Sequence, residues 1–399
     1  MKNTAFTFIF LINSTFLSST SIEDKCELKV PYNVNAAADL DTNEIGIESD
    51  SDDLWGIEST IGNSDFFSTD RNYTLVQSTK NKSVKILTFN VISEMNGVGL
   101  EVDQKIMANA LQSLGHRIQC IDIGKKQIPP KADINIFFQR FRPEWLLTAH
   151  QNWLIPNPEW YMQGAKDLDD IDLILCRTKE VKRIFSKYSE NIYYLGFTSI
   201  DCYKHNLGKD FHTILHLAGQ SAQKGTTSIV DVWRSNPQFP LLNVIQKVNS
   251  VQINQSNYYL IPNRVDLETL RTYQNTCGIH LCPSETEGFG HYLVEAMSSG
   301  AVVVTTNAPP MNEFITDPRC LVNYNKTQNQ RFGINYYVDP KDLEKVINNL
   351  LKMTNEELRF IGQNNRKAFL QNQKMFHKRL KLLLQSDLVD KKKTTPITN

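Results

Sequence analysis

The sequence predicts an α/β protein with two Rossmann-like domains that face a cleft, preceded by a disordered N-terminal extension. Two observations predict the parallel sheets. Short apolar runs such as Ile279 to Pro283 recur along the chain, and most of them are followed by a polar or glycine-bearing loop and a helical pattern. Strands that alternate with helices in this way form parallel α/β units. A third observation, a glycine-bearing loop at a helix start within 284–297, predicts an anion-binding site between a strand and a helix.

The composition sets broad limits on the fold and on the partners. The chain has 399 residues, which is room for two or three domains, and its apolar share of 41% is ordinary for a globular protein. The formal net charge is zero, so no general attraction to nucleic acid is predicted. Seven cysteines are scattered without a C-x-x-C pair or a nearby histidine cluster, which argues against structural zinc and a disulfide framework.

The first 83 residues are predicted to lie outside the folded domains. Residues 1–25 contain an apolar run that is too short to span a bilayer comfortably. The run is typical of a secretory signal peptide, or alternatively of a disordered N-terminus. The sequence is therefore compatible with the secretory pathway and with the cytoplasm. Residues 26–83 are polar and acidic without sustained periodicity, which predicts a disordered segment.

A first Rossmann-like domain is predicted over 84–198. It opens with a strand, a loop that contains Gly97 and Gly99, a helical pattern and a second strand. The dinucleotide fingerprint G-x-G-x-x-G is not met, because Val102 stands where the third glycine belongs, and this argues against an NAD-dependent enzyme. The strands of this domain are predicted over 84–91, 117–123, 133–141, 171–177 and 191–197.

The segment 149–160 is rich in aromatic residues and proline, which predicts a loop on the acceptor side of the cleft. Within it, His150 and Asn152 are the candidates for contacts on that side. A packed histidine without a functional role is the alternative interpretation of His150.

The rest of the chain divides into four predicted segments: a polar linker over 199–211, a second Rossmann-like domain over 212–362, a C-terminal crossover helix over 363–385 and a disordered tail over 386–399. The second domain opens with a strand and the loop Gly219 to Gly225. Lys224 adds a positive charge to this loop at a helix start, where a diphosphate would bind. Gln220 and Ser221 precede the lysine, and the serine hydroxyl can donate one hydrogen bond to the same ligand.

Two glutamates flank the glycine loop of the second domain. Glu287 lies just before the helix and Glu295 lies on its second turn. A carboxylate repels a phosphate, so these side chains are expected to accept hydrogen bonds from sugar and ribose hydroxyls instead. A glycine loop for phosphates with two carboxylates for hydroxyls is suited to a nucleotide-sugar.

The string Glu287-Gly288-Phe289-Gly290, with Glu295-Ala296 and Gly300 after it, resembles the Glu-x7-Glu signature of the retaining GT-B glycosyltransferases of family 4, the group 1 glycosyltransferases. Lys224-Gly225 resembles the end of the family's G-R-x-x-x-x-K-G segment. The sequence departs from the family twice: Gln220 replaces the arginine of that segment, and the usual proline is missing from Ala301 to Val304. The resemblance covers roughly 84–384 and is strongest over 212–315.

The resemblance implies a two-domain GT-B enzyme of carbohydrate biosynthesis that transfers a sugar from a nucleoside-diphosphate sugar to a glycan, protein or lipid acceptor, with retention of configuration. It implies catalytic roles for Glu287 and Lys224 and no metal or other cofactor. The implied donor-binding residues are Gly288, Phe289, Gly290, Glu295, Gln220, Ser221, Gly97 and Gly99. A metal-dependent GT-A enzyme is disfavoured, because the D-x-D spacing of Asp50 to Asp52 lies in the predicted disordered segment.

Two alternatives stay open. Loss of the family arginine is compatible with a GT-B protein that binds a sugar or nucleotide without turnover. A phosphorylase or a nucleotide-sugar epimerase would share the fold. The basic residues of the last helix, such as Lys378 and Arg379, favour a solvated face over a membrane contact.

Overall fold

The computed structural model describes residues 85–97, 99–125 and 127–389. The predicted signal peptide over 1–25, the predicted disordered segment over 26–83 and residues 390–399 of the predicted tail lie outside the described residues. The described chain contains two parallel β-sheets with associated helices, which confirms the predicted fold class.

The first sheet has six parallel strands: β1 (Thr88–Ser93), β2 (Arg117–Asp122), β3 (Ala132–Phe138), β4 (Ala149–Ile155), β5 (Leu173–Cys176) and β6 (Ile192–Tyr194). They lie side by side in the order β2-β1-β3-β4-β5-β6. Its two helices are α1 (Gly99–Ser113) and α2 (Lys179–Phe185), and short 3-10 helices span Pro143–Thr148 and Lys166–Asp170.

Strand β4 occupies the first part of the segment that the sequence predicted as a loop over 149–160, so that prediction was wrong for residues 149–155. The polar residues that obscured the strand are held by a ladder across the sheet. Asn90 donates to Asn135, and Asn135 donates to Asn152, each at 2.9 Å and between residues that are paired in register. Because each amide can donate and accept, three asparagines are tolerated in neighbouring central strands.

The second sheet also has six parallel strands: β7 (Asp210–Gly219), β8 (Leu241–Gln246), β9 (Tyr258–Ile261), β10 (Cys277–Cys282), β11 (Val302–Thr306) and β12 (Leu321–Val322). Their order is β12-β11-β10-β7-β8-β9. The helices between them are α3 (Thr226–Ser235), α4 (Leu267–Thr276), α5 (His291–Ser298) and α6 (Met311–Phe314). Every residue of β10 and β11 is buried, as expected of central parallel strands with both faces covered.

Helix boundaries follow side-chain caps. The Asp266 carboxylate accepts from the Thr269 amide at 2.9 Å and starts α4. Helix α7 (Pro340–Leu351) is followed by the long helix α8 (Asn355–Gln385), which begins with a capping box between Thr354 and Glu357. These caps satisfy amides that the first turn of a helix leaves without partners.

The C-terminal part of α8 lies against the first domain. The Tyr193 hydroxyl donates to the Arg379 carbonyl at 3.0 Å, and the Phe376 and Phe197 rings pack edge to face at 5.0 Å. Near its start, Gly362 of α8 approaches Gly300 so closely that a Cβ on Gly362 would overlap the Gly300 carbonyl. Within the described part of the chain, no helix combines the length and the apolar character needed to cross a membrane.

A two-stranded hairpin, β13 (Tyr324–Gln330) and β14 (Gly333–Val338), extends from the second domain to the first. The Phe332 ring at its turn stacks on Phe185 at 5.7 Å and packs edge to face on Tyr161 and Tyr188 at 5.3 and 5.1 Å. The sequence analysis did not predict this hairpin. Strand β13 is almost entirely exposed and polar, so it carries no alternating apolar pattern.

Candidate active site

The loop between β10 and α5 carries three of the predicted donor-binding residues. Gly290, with a φ angle of 91°, is in the left-handed region that favours glycine and immediately precedes α5. Gly288 touches the first domain, since a Cβ there would overlap the Asn157 side chain. Phe289 is 3% exposed and packs edge to face against Phe197 at 5.3 Å. The ring therefore anchors the loop, while the first amides of α5 have no partners inside the helix.

The predicted catalytic residues Glu287 and Lys224 are brought together from two different loops. Lys224 Nζ forms an ion pair with Glu287 Oε1, and Ser284 Oγ donates to the same oxygen at 2.5 Å. The Tyr292 hydroxyl lies 2.6 Å from Ser284 Oγ, and Lys224 Nζ lies 4.4 Å from the centre of the Tyr292 ring. We call Lys224, Ser284, Glu287 and Tyr292 the lysine–carboxylate cluster. The charged pair keeps some access to solvent, because the two side chains are 17% and 11% exposed.

The two loops that supply this pair are pressed against each other. Gly225 has a φ angle of 69°, and a Cβ at this position would overlap the carbonyl oxygen of Pro283. The Glu285 amide also donates to the Gln223 carbonyl at 3.0 Å. Glycine at 225 is therefore required both by the backbone conformation and by the contact with the neighbouring loop.

Gln220 and Ser221 lie on the turn that follows β7. The Gln220 side chain is exposed. Ser221 Oγ accepts from the Gln223 amide at 3.2 Å, and Gln223 Nε2 donates to Gln330 Oε1 of the hairpin at 2.6 Å. The serine thus stabilises its own loop in this structure, and its hydroxyl hydrogen is still available to a ligand.

Glu295 belongs to a separate group of side chains. One carboxylate oxygen accepts from Gln274 Nε2 at 3.0 Å and lies 3.8 Å from Arg271 NH1. The other lies 3.5 Å from Ser199 Oγ of the segment between the two sheets. The structure therefore places Glu295 against α4 and the linker, whereas Glu287 contacts the β7–α3 loop.

A second polar cluster joins the two domains at His291, the first residue of α5. Asp103 of α1 accepts from Arg177 NH1 at 2.6 Å and lies 2.8 Å from His291 Nε2. The other ring nitrogen of His291 lies 2.8 Å from Ser199 Oγ, and Arg177 NH2 also contacts Asn157 Oδ1. We call Asp103, Arg177, Ser199 and His291 the interdomain cluster. Sequence reasoning missed it, because its members come from distant segments without a local motif.

The charges of the interdomain cluster are almost fully withdrawn from water. The Asp103 and Arg177 side chains are each 3% exposed. Burial alone would raise the pKa of Asp103, but the neighbouring Arg177 and His291 lower it below its ordinary value. Arg177 also lies over the Phe197 and Phe289 rings, 5.5 and 5.6 Å from their centres. The pair is thus held in its charged form.

Glu159 is another buried carboxyl group of the first domain. Sequence reasoning did not single it out. It is 5% exposed and follows the carboxyl end of β4. Burial raises its pKa from 4.5 to about 7; Glu287 adds to the increase, whereas Arg177 and Lys224 oppose it. Glu159 lies within the segment 149–160, which the sequence predicted as an acceptor-side loop, and that prediction is the signal that could have found it.

The remaining predicted residues are distributed around the first domain. His150 is an exposed residue near the amino end of β4, beside a cavity of about 210 Å³ that Lys85 and Asp133 also line. Asn152 is buried in the asparagine ladder and donates to the Leu146 carbonyl at 3.1 Å. The structure therefore does not bring these two residues together with Glu287, which follows the carboxyl end of β10.

The glycine loop of the first domain does face the second domain. A Cβ on Gly99 would lie 3.8 Å from His291 Cδ2, whereas a Cβ on Gly97, at a φ angle of 72°, would meet open space. Among residues 85–389, with 98 and 126 excepted, no three His, Cys, Asp or Glu side chains are grouped so that they could hold a metal ion.

Comparison with known proteins identifies the kind of protein this arrangement resembles. Residues 252–368, which include Glu287 and Glu295, match the family model of glycosyl transferases group 1. An uncharacterized glycosyltransferase of Methanocaldococcus jannaschii is 24% identical over 204 residues, which are 49% of this chain and 54% of the relative. The match therefore spans about half the length of this curated relative.

Solved structures share the fold. A glycosyltransferase from Rickettsia africae superposes with a TM-score of 0.58 at 13% identity, over 77% of this chain and all of the other. Sucrose-phosphate synthase from Thermosynechococcus elongatus gives 0.56 at 11%, over 75% and 98% of the two chains. HepE of Anabaena, solved with UDP and glucose, gives 0.54 at 10%, over 75% and 100%. The fold is the GT-B fold, and the predicted resemblance to group 1 glycosyltransferases is confirmed.

Proposed function

We propose that the protein is a glycosyltransferase that moves a sugar from a nucleoside-diphosphate sugar to an acceptor with retention of anomeric configuration. The observation that carries this proposal is the Lys224–Glu287 ion pair beside the glycine-bearing start of α5. A cation and the free amides of a helix start favour a diphosphate, and a carboxylate next to them favours the hydroxyls of a sugar. The match to the group 1 family model over this segment supports the same conclusion.

Each residue of the site has a role in the proposed reaction. The acceptor oxygen replaces the nucleoside diphosphate at the anomeric carbon, and the acceptor proton leaves with the diphosphate. Lys224 and the start of α5 stabilise the negative charge that develops on the leaving group, which is expected to be the largest catalytic contribution. Glu287 holds sugar hydroxyls and so positions the anomeric carbon, and Glu295 binds the ribose hydroxyls. No metal or other cofactor is required in this scheme.

The two domains would act together during the reaction. Asn157 of the first domain touches Gly288 in the loop between β10 and α5, which we call the signature loop, so the cleft is narrow at this point. Separation of the domains would admit the substrates, and closure would exclude water so that transfer is faster than hydrolysis. The acceptor, a glycan, protein or lipid, would enter from the side of the first domain.

A nucleotide-binding experiment tests the donor site. The thermal stability of the protein would be measured with UDP, GDP and ADP; UDP is the first choice because HepE, which shares the fold, was solved with UDP and glucose. A nucleotide at about 100 times its Kd should stabilise the native state by about 2.7 kcal/mol. Lys224→Met should greatly reduce the shift, whereas the exposed lysine variant Lys345→Met on α7 should retain it. No shift with any of the three nucleotides would refute the proposed donor site.

Turnover is tested next with UDP-glucose, UDP-N-acetylglucosamine, GDP-mannose and ADP-glucose. Release of the nucleoside diphosphate should depend on an acceptor, and Glu287→Gln should lower kcat by about 100-fold, as expected when one group that orients the reacting atoms is lost. NMR analysis of the product's anomeric proton gives the stereochemistry. An inverted product would refute retention, and release of sugar phosphate or of an epimerised sugar would indicate a phosphorylase or an epimerase.

One observation favours the second candidate function, a GT-B protein that binds its ligand without turnover. Gln220 stands where the family has an arginine, so one bidentate phosphate contact is missing. If the missing arginine weakens donor binding, Gln220→Arg should lower the Kd for the nucleoside diphosphate by about tenfold, since a hydrogen bond to a charged group contributes about 1.5–3 kcal/mol. Nucleotide binding without product from any of the four sugar nucleotides would support this second function.

A further inference from the structure

The carboxyl group of Glu159 has an oxygen with no partner. The side chain is 5% exposed, and Oε2 forms no hydrogen bond with the described residues. Buried polar atoms of native proteins nearly always have a partner, and leaving one without a partner costs about 1–3 kcal/mol. None of the roles proposed above uses this residue, so its unpaired oxygen calls for a ligand.

The position of Glu159 indicates which ligand would supply the partner. It lines a small cavity with Glu287 and Thr286 of the second domain, and with Glu180 of α2. The cavity has a volume of about 10 Å³, which is room for about one water molecule. The first domain thus contributes Glu159 and Glu180, and the second domain contributes Glu287, to the lining of the same cavity.

The hairpin, whose residues Gly333 and Tyr336 also line the cavity, fixes the backbone of Glu159. The Phe332 amide of the hairpin donates to the Pro158 carbonyl at 3.2 Å, and Gln330 Nε2 donates to the Glu159 carbonyl at 3.0 Å. Gly333 packs so closely that a Cβ on it would lie 3.3 to 3.5 Å from the amide nitrogen, Cα and Cβ of Glu159. The carboxyl group is therefore positioned in the cavity by three backbone contacts with the hairpin.

The chemistry of the cavity limits the class of ligand. An anionic group would be repelled by Glu287, and an apolar group would leave Glu159 Oε2 without a partner. A hydroxyl group both donates and accepts, so it can bond both the Glu287 carboxylate, which is paired with Lys224, and the carboxyl group of Glu159. A neutral, polyhydroxylated ring fits these requirements.

We propose that Glu159 is a sugar-binding residue that, together with Glu287, holds hydroxyl groups of the donor sugar from the side of the first domain. The proposal rests on the function proposed above. The sugar would displace the water for which the cavity has room and would increase the separation between Pro158–Glu159 and the signature loop. Glu159 then contributes to affinity for the sugar part of the donor and not to affinity for the nucleotide.

The test separates the sugar from the nucleotide. The Kd values of UDP and UDP-glucose, and of the corresponding GDP-mannose and ADP-glucose pairs, would be measured by calorimetry for the wild type, Glu159→Ala and Glu159→Gln. For the pair that the wild type binds, Glu159→Ala should weaken sugar-nucleotide binding by about tenfold relative to the nucleoside diphosphate, whose own Kd should change less than twofold. Glu159→Gln should restore most of the loss, because the amide also donates and accepts hydrogen bonds.

Glu180→Gln is the matched control. Glu180 lines the same cavity, but both of its carboxylate oxygens are bonded to Arg183, at 2.7 and 2.6 Å, so its replacement should leave the ratio of the two Kd values unchanged. An unchanged ratio in Glu159→Ala, with nucleotide binding intact, would overturn the assignment of Glu159 alone. Failure of the wild type to bind UDP, GDP or ADP would overturn both this inference and the proposed function.

Discussion

Two polar clusters include residues at the start of α5, His291 in one and Tyr292 in the other, and they differ in how far their charges are exposed. In the interdomain cluster, Asp103 and Arg177 are nearly inaccessible and paired at 2.6 Å. In the lysine–carboxylate cluster, Lys224 and Glu287 are paired but partly exposed, and the neighbouring Glu159 has an oxygen without a partner. Arg177 Nε of the interdomain cluster also has no hydrogen-bond partner among the described residues, so the clusters differ in the exposure of their charges. We expect the buried pair to hold the domains together and the accessible pair to bind a ligand. The difference in exposure therefore predicts a structural role for the interdomain cluster and a chemical role for the lysine–carboxylate cluster.

Removing Asp103 should have the largest effect on stability. Asp103→Ala leaves the Arg177 guanidinium buried without its counter-charge, which is expected to cost about 3–5 kcal/mol of the free energy of unfolding. Urea denaturation would measure the loss. Glu101→Ala on the same helix is the control, because its pair with the half-exposed Lys105 should contribute less than about 1 kcal/mol. A loss below about 1 kcal/mol in Asp103→Ala would show that the interdomain cluster does not hold the domains together.

Changing Glu159 should have an effect that depends on pH. Its pKa is raised from 4.5 to about 7 in the folded state, so the folded protein binds more protons than the unfolded chain between these values. The stability of the wild type relative to Glu159→Gln should therefore be greatest below pH 4.5 and should decrease by roughly 3 kcal/mol as the pH rises to 7. Parallel denaturation curves at several pH values would measure this difference. A difference that is constant with pH would show that Glu159 is not desolvated in the native state.

Removing the aromatic tip of the hairpin should have the smallest effect. Phe332→Ala loses three ring contacts with the first domain, and the expected cost is about 1–2 kcal/mol because the residue is only partly buried. Amide hydrogen exchange should become faster over 324–338 and remain unchanged in the first sheet. Phe360→Ala on α8, where the ring is 60% exposed, is the control and should alter neither. Unchanged hydrogen exchange in the hairpin would contradict the inference that the hairpin fixes the backbone of Pro158 and Glu159.

The sequence was most informative where function and local pattern coincide. The apolar run Ile279 to Pro283 predicted the central strand β10, and the string that begins at Glu287 predicted a loop and a helix at the positions where the structure has them. Lys224 and Glu287 were expected to serve one site, and the structure places them in contact although 63 residues separate them. These features depend on short segments with strong local preferences.

The sequence was less informative where long-range contacts decide the structure. The sequence points to His150 and Asn152 as the first-domain candidates, because aromatic residues and proline predict a loop over 149–160, of which 149–155 form a strand. Strand β4 continues to Ile155, so Asn157 and Glu159 are the residues at its carboxyl end. That edge is where parallel sheets carry their ligands. Knowledge of where the strand ends would have moved the candidates by about seven residues.

The contact between Gly225 and Pro283 has a consequence for protein engineering. The loop that carries Lys224 and the loop that carries Glu287 touch through a glycine that has no space for a Cβ. A loop grafted alone from another protein of the GT-B fold would meet a neighbour whose shape it was not selected to fit. In a chimeric protein, both loops should therefore be exchanged together. A mutant library made to change ligand specificity should vary both loops at once and keep Gly225 and Pro283.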